Sequence, residues 1–356
     1  MGFCLNACTR HNQHYNAASK HHTPTGFKNN YPHEPAPSLV DVVSWRWQAR
    51  NLPKVPESGY FPPMHKPEVA RYSERMQSAS ITWLGHATFL LRLGASNILT
   101  DPHLTNRASP LKRFGPKRLV TPPLTLGELP HIDFVIISHN HYDHLDRQTV
   151  LTLNAQTDGA PRFYVPLALK SWFTDQGIDN VVELDWWDAR NEKELVINFV
   201  PAQHWSTRTR VDRNESLWGG WVIEHQDFRF YFAGDTGYSQ DFKDIGAKFA
   251  PIDLAAIPIG AYDPRWFMKA QHVNPTEAVQ IHHDVGARYS VGMHWGTFKL
   301  TDEPIDEPPK LLDQARRAVS LPAERFFVMG FGETRALPIE PTQGGRTNSV
   351  TSPKLE

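Results

Sequence analysis

The sequence predicts an α/β chain in which two β-sheets are covered by helices. Short apolar, β-rich runs recur between residues 79 and about 338, and segments of helical character are inserted among them in both halves. No strict internal repeat accompanies this alternation, although an apolar strand running into a polar loop is a recurring theme.

Residues 1–37 are rich in Asn, His, Thr and Pro without periodicity and are expected to be a flexible leader. Residues 38–78 mix prolines with Trp45, Trp47, Tyr60, Phe61 and Met64. Two readings stand: an extended arm packed on the domain, or an apolar lip for a lipid or a partner chain. The main domain is placed at 79–340. Ile81 to Leu84 and Thr88 to Leu93 are β-rich and punctuated by Gly85 and Gly94, and a third strand at 97–100 stops at Asp101-Pro102. Residues 103–130 read as a long loop, and Phe134 to Ile137 as a buried strand. Further strands are expected near 162–165, 194–200, 219–224, 228–233, 253–258 and 288–292, with a last strand pair at 325–329 and 334–338. Helices are expected near 147–155, 167–176, 239–248, 275–285 and 307–319, and a polar tail at 341–356.

With 356 residues the chain can bury a substantial core. Its 37 basic and 38 acidic residues leave a net charge of −1, so no basic excess points to a nucleic-acid partner. The two cysteines, Cys4 and Cys8, both sit in the leader and cannot staple a domain of this size; a reducing, cytoplasmic setting follows. No apolar run reaches the roughly 18 residues of a membrane span. Histidine is the informative residue, with 18 copies, although His11, His14, His21 and His22 in the leader read as polar surface.

The chemistry concentrates in Ser138-His139-Asn140-His141-Tyr142-Asp143-His144, directly after the buried strand. In extended chain His139 and His141 point the same way. A turn then swings Asp143 and His144 elsewhere, so one loop can serve two metal ions. Neutral imidazoles and a carboxylate suit zinc. Three more donors stand at strand ends: His204 after Phe199-Val200, Asp235 after Phe230-Tyr231-Phe232, and His294 after Ser290-Val291. Rigid strand tips hold functional groups well. Arg265 is a candidate anion partner, and Tyr142 either donates to a phosphate oxygen or packs over the loop.

The His-x-His-x-Asp-His cluster with its later His, Asp and His resembles the metallo-β-lactamase superfamily. The resemblance implies a four-layer αββα sandwich and two zinc ions per chain. One would be held by His139, His141 and His204, the other by Asp143, His144 and His294, with Asp235 bridging. Trp83-Leu84-Gly85-His86 and Thr100-Asp101-Pro102 also resemble the opening strands of that superfamily. Asp101 is either the acceptor that orients a ligating histidine or a turn-former before Pro102. Leu184-Asp185-Trp186-Trp187, Leu217 to Trp221, Asp253 to Tyr262, Pro264 to Lys269, Gln271 to Pro275 and His294 to Phe298 are similar to the branch of N-acylphosphatidylethanolamine-hydrolysing phospholipases D, over roughly residues 75–340.

That branch implies a phospholipid substrate, and a water activated between the metals that attacks phosphorus in line. N-acylethanolamine and phosphatidic acid would be released. Asp143, Asp235 and His272 are then the expected catalytic residues, with Gln271 and His272 lining the phosphate site. Peripheral attachment to a membrane surface and a homodimer fit the same resemblance. The alternatives are a hydrolase of the same fold acting on another phosphodiester or a lactone, and a non-catalytic membrane-associated protein of that fold.

Overall fold

A computed structural model describes residues 11–33, 38–50, 62–69, 79–111 and 113–337. Cys4, Cys8, Tyr60, Phe61 and the expected tail at 341–356 lie outside the described residues. Along the chain the elements are β1 (His22–Thr23), β2 (Gly26–Phe27), α1 (Leu39–Ala49), β3 (Ser80–Gly85), β4 (Thr88–Leu93), β5 (Ser96–Thr100), β6 (Phe134–Ile136), α2 (Arg147–Asn154), β7 (Arg162–Pro166), α3 (Lys170–Thr174), β8 (Val181–Leu184) and β9 (Ala189–Glu192). They continue with β10 (Leu195–Val200), β11 (Gly220–His225), β12 (Phe228–Phe232), α4 (Asp241–Phe249), β13 (Ile252–Pro258), α5 (Arg265–Met268), α6 (Pro275–Asp284), β14 (Ala287–Met293), α7 (Pro308–Ala318), β15 (Phe326–Phe327) and β16 (Thr334–Ala336).

Among the described residues two seven-stranded sheets form, in the orders β15-β14-β13-β12-β11-β10-β9 and β16-β3-β4-β5-β6-β7-β8. Alternation of side chains builds the layers. Ile81, Trp83, Phe89, Leu91, Phe134 and Ile136 point into the core shared with Phe199, Trp221, Phe230 and Phe232 of the other sheet. Their neighbours Leu90, Leu99 and Val135 point the opposite way, against Val150 and Leu153 of α2 and Phe173 of α3. On the other sheet, α6 packs on β13 and β14, and α4 and α7 pack on α6. Strands buried on both faces read as continuous apolar runs, which is why β3, β4, β6 and β12 stand out in the sequence. Trp221 donates from Nε1 to the Ile137 carbonyl at 3.0 Å and ties the two sheets together just below the histidine loop.

Three expectations are corrected. The segments at 325–329 and 334–338 do not pair with each other: β15 lies parallel to β14, while β16 lies antiparallel to β3 in the opposite sheet. The chain crosses between sheets through Gly332, whose φ is +80°. The arm is not extended over its described first part. Ser38 and Asp41 form a capping box that starts helix α1, a signal local enough to read but embedded in a proline-rich stretch. Nor is the leader loose over 11–33. It forms the β1–β2 hairpin, and His21 and His22, expected as polar surface, are buried with Nε2 atoms 2.7 and 2.8 Å from the two carboxylate oxygens of Asp185.

Candidate metal centre

Polar side chains converge where strands of both sheets end. β3 delivers His86, β5 Asp101, β6 the 139–144 loop, β12 Asp235 and β14 His294, and His204 follows β10 by four residues. The turn into Asp235 requires Gly234. Its φ is +63°, and an added Cβ would lie 2.7 Å from the Ser138 Cβ.

Two groups of donors result. His139, His141 and His204 form one, and His86, Asp143, His144 and His294 the other, all donor atoms of each group lying within 4.8 Å. His139 Nε2 and His204 Nε2 lie 2.8 and 3.3 Å from His141 Nδ1. Asp143 Oδ2 lies 3.0 Å from His86 Nε2 and 3.4 Å from the Nε2 atoms of His144 and His294. Asp235 faces both groups: Oδ2 is 3.1 Å from His144 Nε2 and 3.9 Å from His204 Nε2, and Oδ1 is 3.2 Å from His294 Nε2.

This arrangement fits metal ions. His144 Nε2, His294 Nε2 and Asp235 Oδ1 face the centre and are buried without a hydrogen-bond partner, a costly state unless a cation completes it. Tetrahedral bonds of about 2.0–2.1 Å set ligand atoms roughly 3.3 Å apart, close to several of these separations. The far ring nitrogens are held as metal-ligating histidines require. His144 Nδ1 lies 2.6 Å from Asp101 Oδ2, His139 Nδ1 2.9 Å from Ser138 Oγ, and His204 Nδ1 donates to the Gln271 carbonyl at 3.0 Å.

Electrostatics give the same answer. Burial opposes a charge on His144 and His294, but the Asp235 and Asp143 carboxylates outweigh it, holding His144 well above the ordinary imidazole range and raising His294 to about 9. Burial opposes ionisation of Asp235 too, yet His144 and His294 hold its carboxyl well below the usual range. The carboxylates thus demand positive charge at their centre, which cations supply directly. His139 and His204 are pushed well below their ordinary value by burial, and His141 to about 4, so these rings are neutral and free to coordinate.

His272 sits at the rim. Its Nδ1 is 3.9 Å from Asp235 Oδ2 and unpartnered, and burial lowers it to about 4. It lines, with His141, Asp143, Trp205, Phe267 and Gln271, a pocket of about 380 Å³. A larger cleft of about 810 Å³ lies alongside, and Tyr142, Arg208 and Thr209 line both.

Two expected substrate contacts are engaged elsewhere. Arg265 forms an ion pair with Glu277 at 2.7 Å and donates to the His272 carbonyl at 2.7 Å, so it braces the His272 turn. The Tyr142 hydroxyl donates to the Arg208 carbonyl at 2.8 Å, and the Arg208 guanidinium stacks 4.2 Å from its ring. Arg208 was not singled out by sequence. It donates to the Asn140 and Leu145 carbonyls at 2.8 and 2.9 Å and so shapes the histidine loop from behind. His86 was also missed as a donor, although it repeats the theme of an apolar strand ending in histidine.

A family model described as a beta-lactamase superfamily domain matches residues 96–295. A possible metal-dependent hydrolase from Veillonella parvula shares the fold, with a TM-score of 0.59 at 18% identity over 73% of this chain and 100% of that one. The chain belongs to the metallo-β-lactamase superfamily and is a metal-dependent hydrolase. Two curated relatives narrow this. "N-acyl-phosphatidylethanolamine-hydrolyzing phospholipase D 1" of Caenorhabditis elegans is 46% identical over 65% of this chain and 69% of its own length. The mitochondrial N-acyl-phosphatidylethanolamine-hydrolyzing phospholipase D of Saccharomyces cerevisiae is 36% identical over 79% of this chain and 61% of its own length. Within the superfamily the chain falls in the branch of these phospholipases D.

Proposed function

We propose that this chain hydrolyses N-acylphosphatidylethanolamine to N-acylethanolamine and phosphatidic acid with two zinc ions. The observation that carries the reading is a pair of donor groups joined by Asp235, whose carboxylate faces both. His139, His141 and His204 would hold one ion, Asp143, His144 and His294 the other, and Asp235 would bridge. Bound there, two divalent cations supply an activated water and neutralise charge on the phosphoryl oxygens.

The protein's own residues do the rest. Asp143 would fix the position of one ion and Asp235 would face both. His272, neutral at physiological pH, donates a hydrogen bond to a phosphoryl oxygen, and Gln271 lines the pocket beside it. Leu169, Trp172 and Leu111 give the larger cleft apolar surface for acyl chain. Phe267 lines the metal pocket and stacks at 4.9 Å on Trp45 of α1, whose Val40, Val43 and Trp47 are exposed. An apolar helix face beside the pocket supports attachment to a membrane surface. Among the described residues, no helix is long and apolar enough to cross one.

The test is product analysis by mass spectrometry with N-acylphosphatidylethanolamine in detergent. Zinc-loaded wild type should release N-acylethanolamine and phosphatidic acid, and Asp235→Asn neither. Zinc-loaded wild type without product would refute the lipid assignment.

A further inference from the structure

The N-terminal segment at 11–33 lies outside the matched superfamily domain, yet it reaches the metal centre. The side chain of Asn29 spans the backbone of His204. Its Oδ1 accepts from the His204 N–H at 3.1 Å, and its Nδ2 donates to the His204 carbonyl at 3.1 Å. Both backbone hydrogen-bonding groups of His204 are thus taken by one amide, as a neighbouring strand would take them. The same Oδ1 also accepts from Trp218 Nε1 at 3.1 Å, which fixes the orientation of the amide. His204 needs such a partner because β10 ends at Val200 and the chain leaves the ladder before reaching it.

Three further attachments hold Asn29 in place. His21 and His22 grip Asp185, and the His21 ring stacks 4.4 Å from Trp186. The Phe27 N–H donates to the Asn214 carbonyl at 2.9 Å, an approach so close that a Cβ on Gly26 would lie 2.1 Å from that oxygen. On the far side, Asn30 and Tyr31 donate to Asp241 and Asp244 of α4 at 2.9 and 2.5 Å.

We propose that this segment is a strap belonging to the metal centre, in which Asn29 is the positioning residue that sets His204 against His139 and His141. The inference rests on reading those three histidines as one metal position. The strap acts on that position, because Asn29 holds the backbone of His204, which belongs to it. It turns a histidine on an irregular loop into one as fixed as the strand-tip donors around it.

The experiment compares full-length wild type with Asn29→Ala and Gly26→Ala. Zinc affinities are measured by competition with a chromophoric chelator, and the visible absorption of the cobalt-loaded proteins is recorded. Wild type should bind two ions. Asn29→Ala should lose roughly tenfold in affinity at one position, keep the other, and show altered cobalt bands. Gly26→Ala, which displaces the strap without touching the centre, should weaken the same position and also covers the case in which Asn29→Ala fails to fold. Variants with wild-type affinities and cobalt spectra but lower melting temperatures would overturn the proposal, as would a loss spread equally over both positions. Wild type that holds no metal would sink the metal-centre reading itself and this inference with it.

Discussion

Replacing Asp101 by Asn separates the chemistry of the metal centre from the stability of the fold. The Asp101 carboxylate is fully buried, accepts from Ser138 N–H and Oγ–H at 2.7 and 2.5 Å, and lies 2.6 Å from His144 Nδ1. Its backbone has φ +33°, a region that asparagine tolerates and alanine does not, so Asn is the variant that keeps the turn. In Asp101→Asn the new amide N–H faces His144 Nδ1. That nitrogen must then accept, which moves the ring proton to Nε2, the atom aimed at Asp143 and Asp235. Loss of such a partner typically weakens a metal site 10–100-fold, or roughly 1.4–2.7 kcal/mol. Folding should respond differently. Burial pushes the Asp101 carboxyl up against the pull of His144 and Ser138, so a neutral amide relieves a desolvation cost, while the metal-free His144, held protonated, loses an anionic partner; the two effects oppose each other. Chelator competition on the loaded protein should show the affinity loss, while the chelator-stripped variant melts close to the wild-type temperature. Wild-type zinc affinity together with a markedly lower melting temperature of the stripped protein would refute this and make Asp101 a loop brace alone.

Other outcomes follow from individual contacts. His86→Asn keeps the left-handed turn at φ +54° but is too short to reach Asp143, so zinc affinity at the Asp143 position should fall about tenfold in chelator competition. His282 is buried, with Nδ1 2.8 Å from Ser290 Oγ, and burial with His283 and Arg325 nearby lowers it to about 4. A histidine whose folded value lies below its unfolded one contributes stability above pH 6.5 that is lost as pH falls toward 4. In metal-free denaturant titrations, wild type should therefore lose about 3 kcal/mol more than His282→Phe across that window. Gly246→Ala should destabilise by about 1–3 kcal/mol in the same assay, because its Cβ would meet the Asp284 carbonyl oxygen at 2.1 Å where α4 crosses α6.

The sequence exposed the centre through local order: an apolar strand buried on both faces, then donors within a few residues. His139, His141, Asp143, His144, His204, Asp235 and His294 all carry that signature, and the structure brings all seven together. His86 carries it too, on Trp83-Leu84-Gly85, but a single histidine gains weight only when Asp143, 57 residues away, is seen beside it. Arg265 was misread for a different reason. Asn274-Pro275 with Glu277 spells a capping box, and that same Glu277 carboxylate claims the guanidinium. The N-terminal segment was the least legible part because nothing in it buries a periodic apolar face. It is held by side chains bonding to other residues' backbone and to carboxylates, from Asn29 on His204 to His21 and His22 on Asp185. Such contacts leave no spacing in a sequence. A polar, aperiodic leader and a polar strap fastened to a metal ligand therefore read alike until the distant partners are in place, and histidines in such a segment are better weighed against every unpaired carboxylate in the chain than set aside as surface.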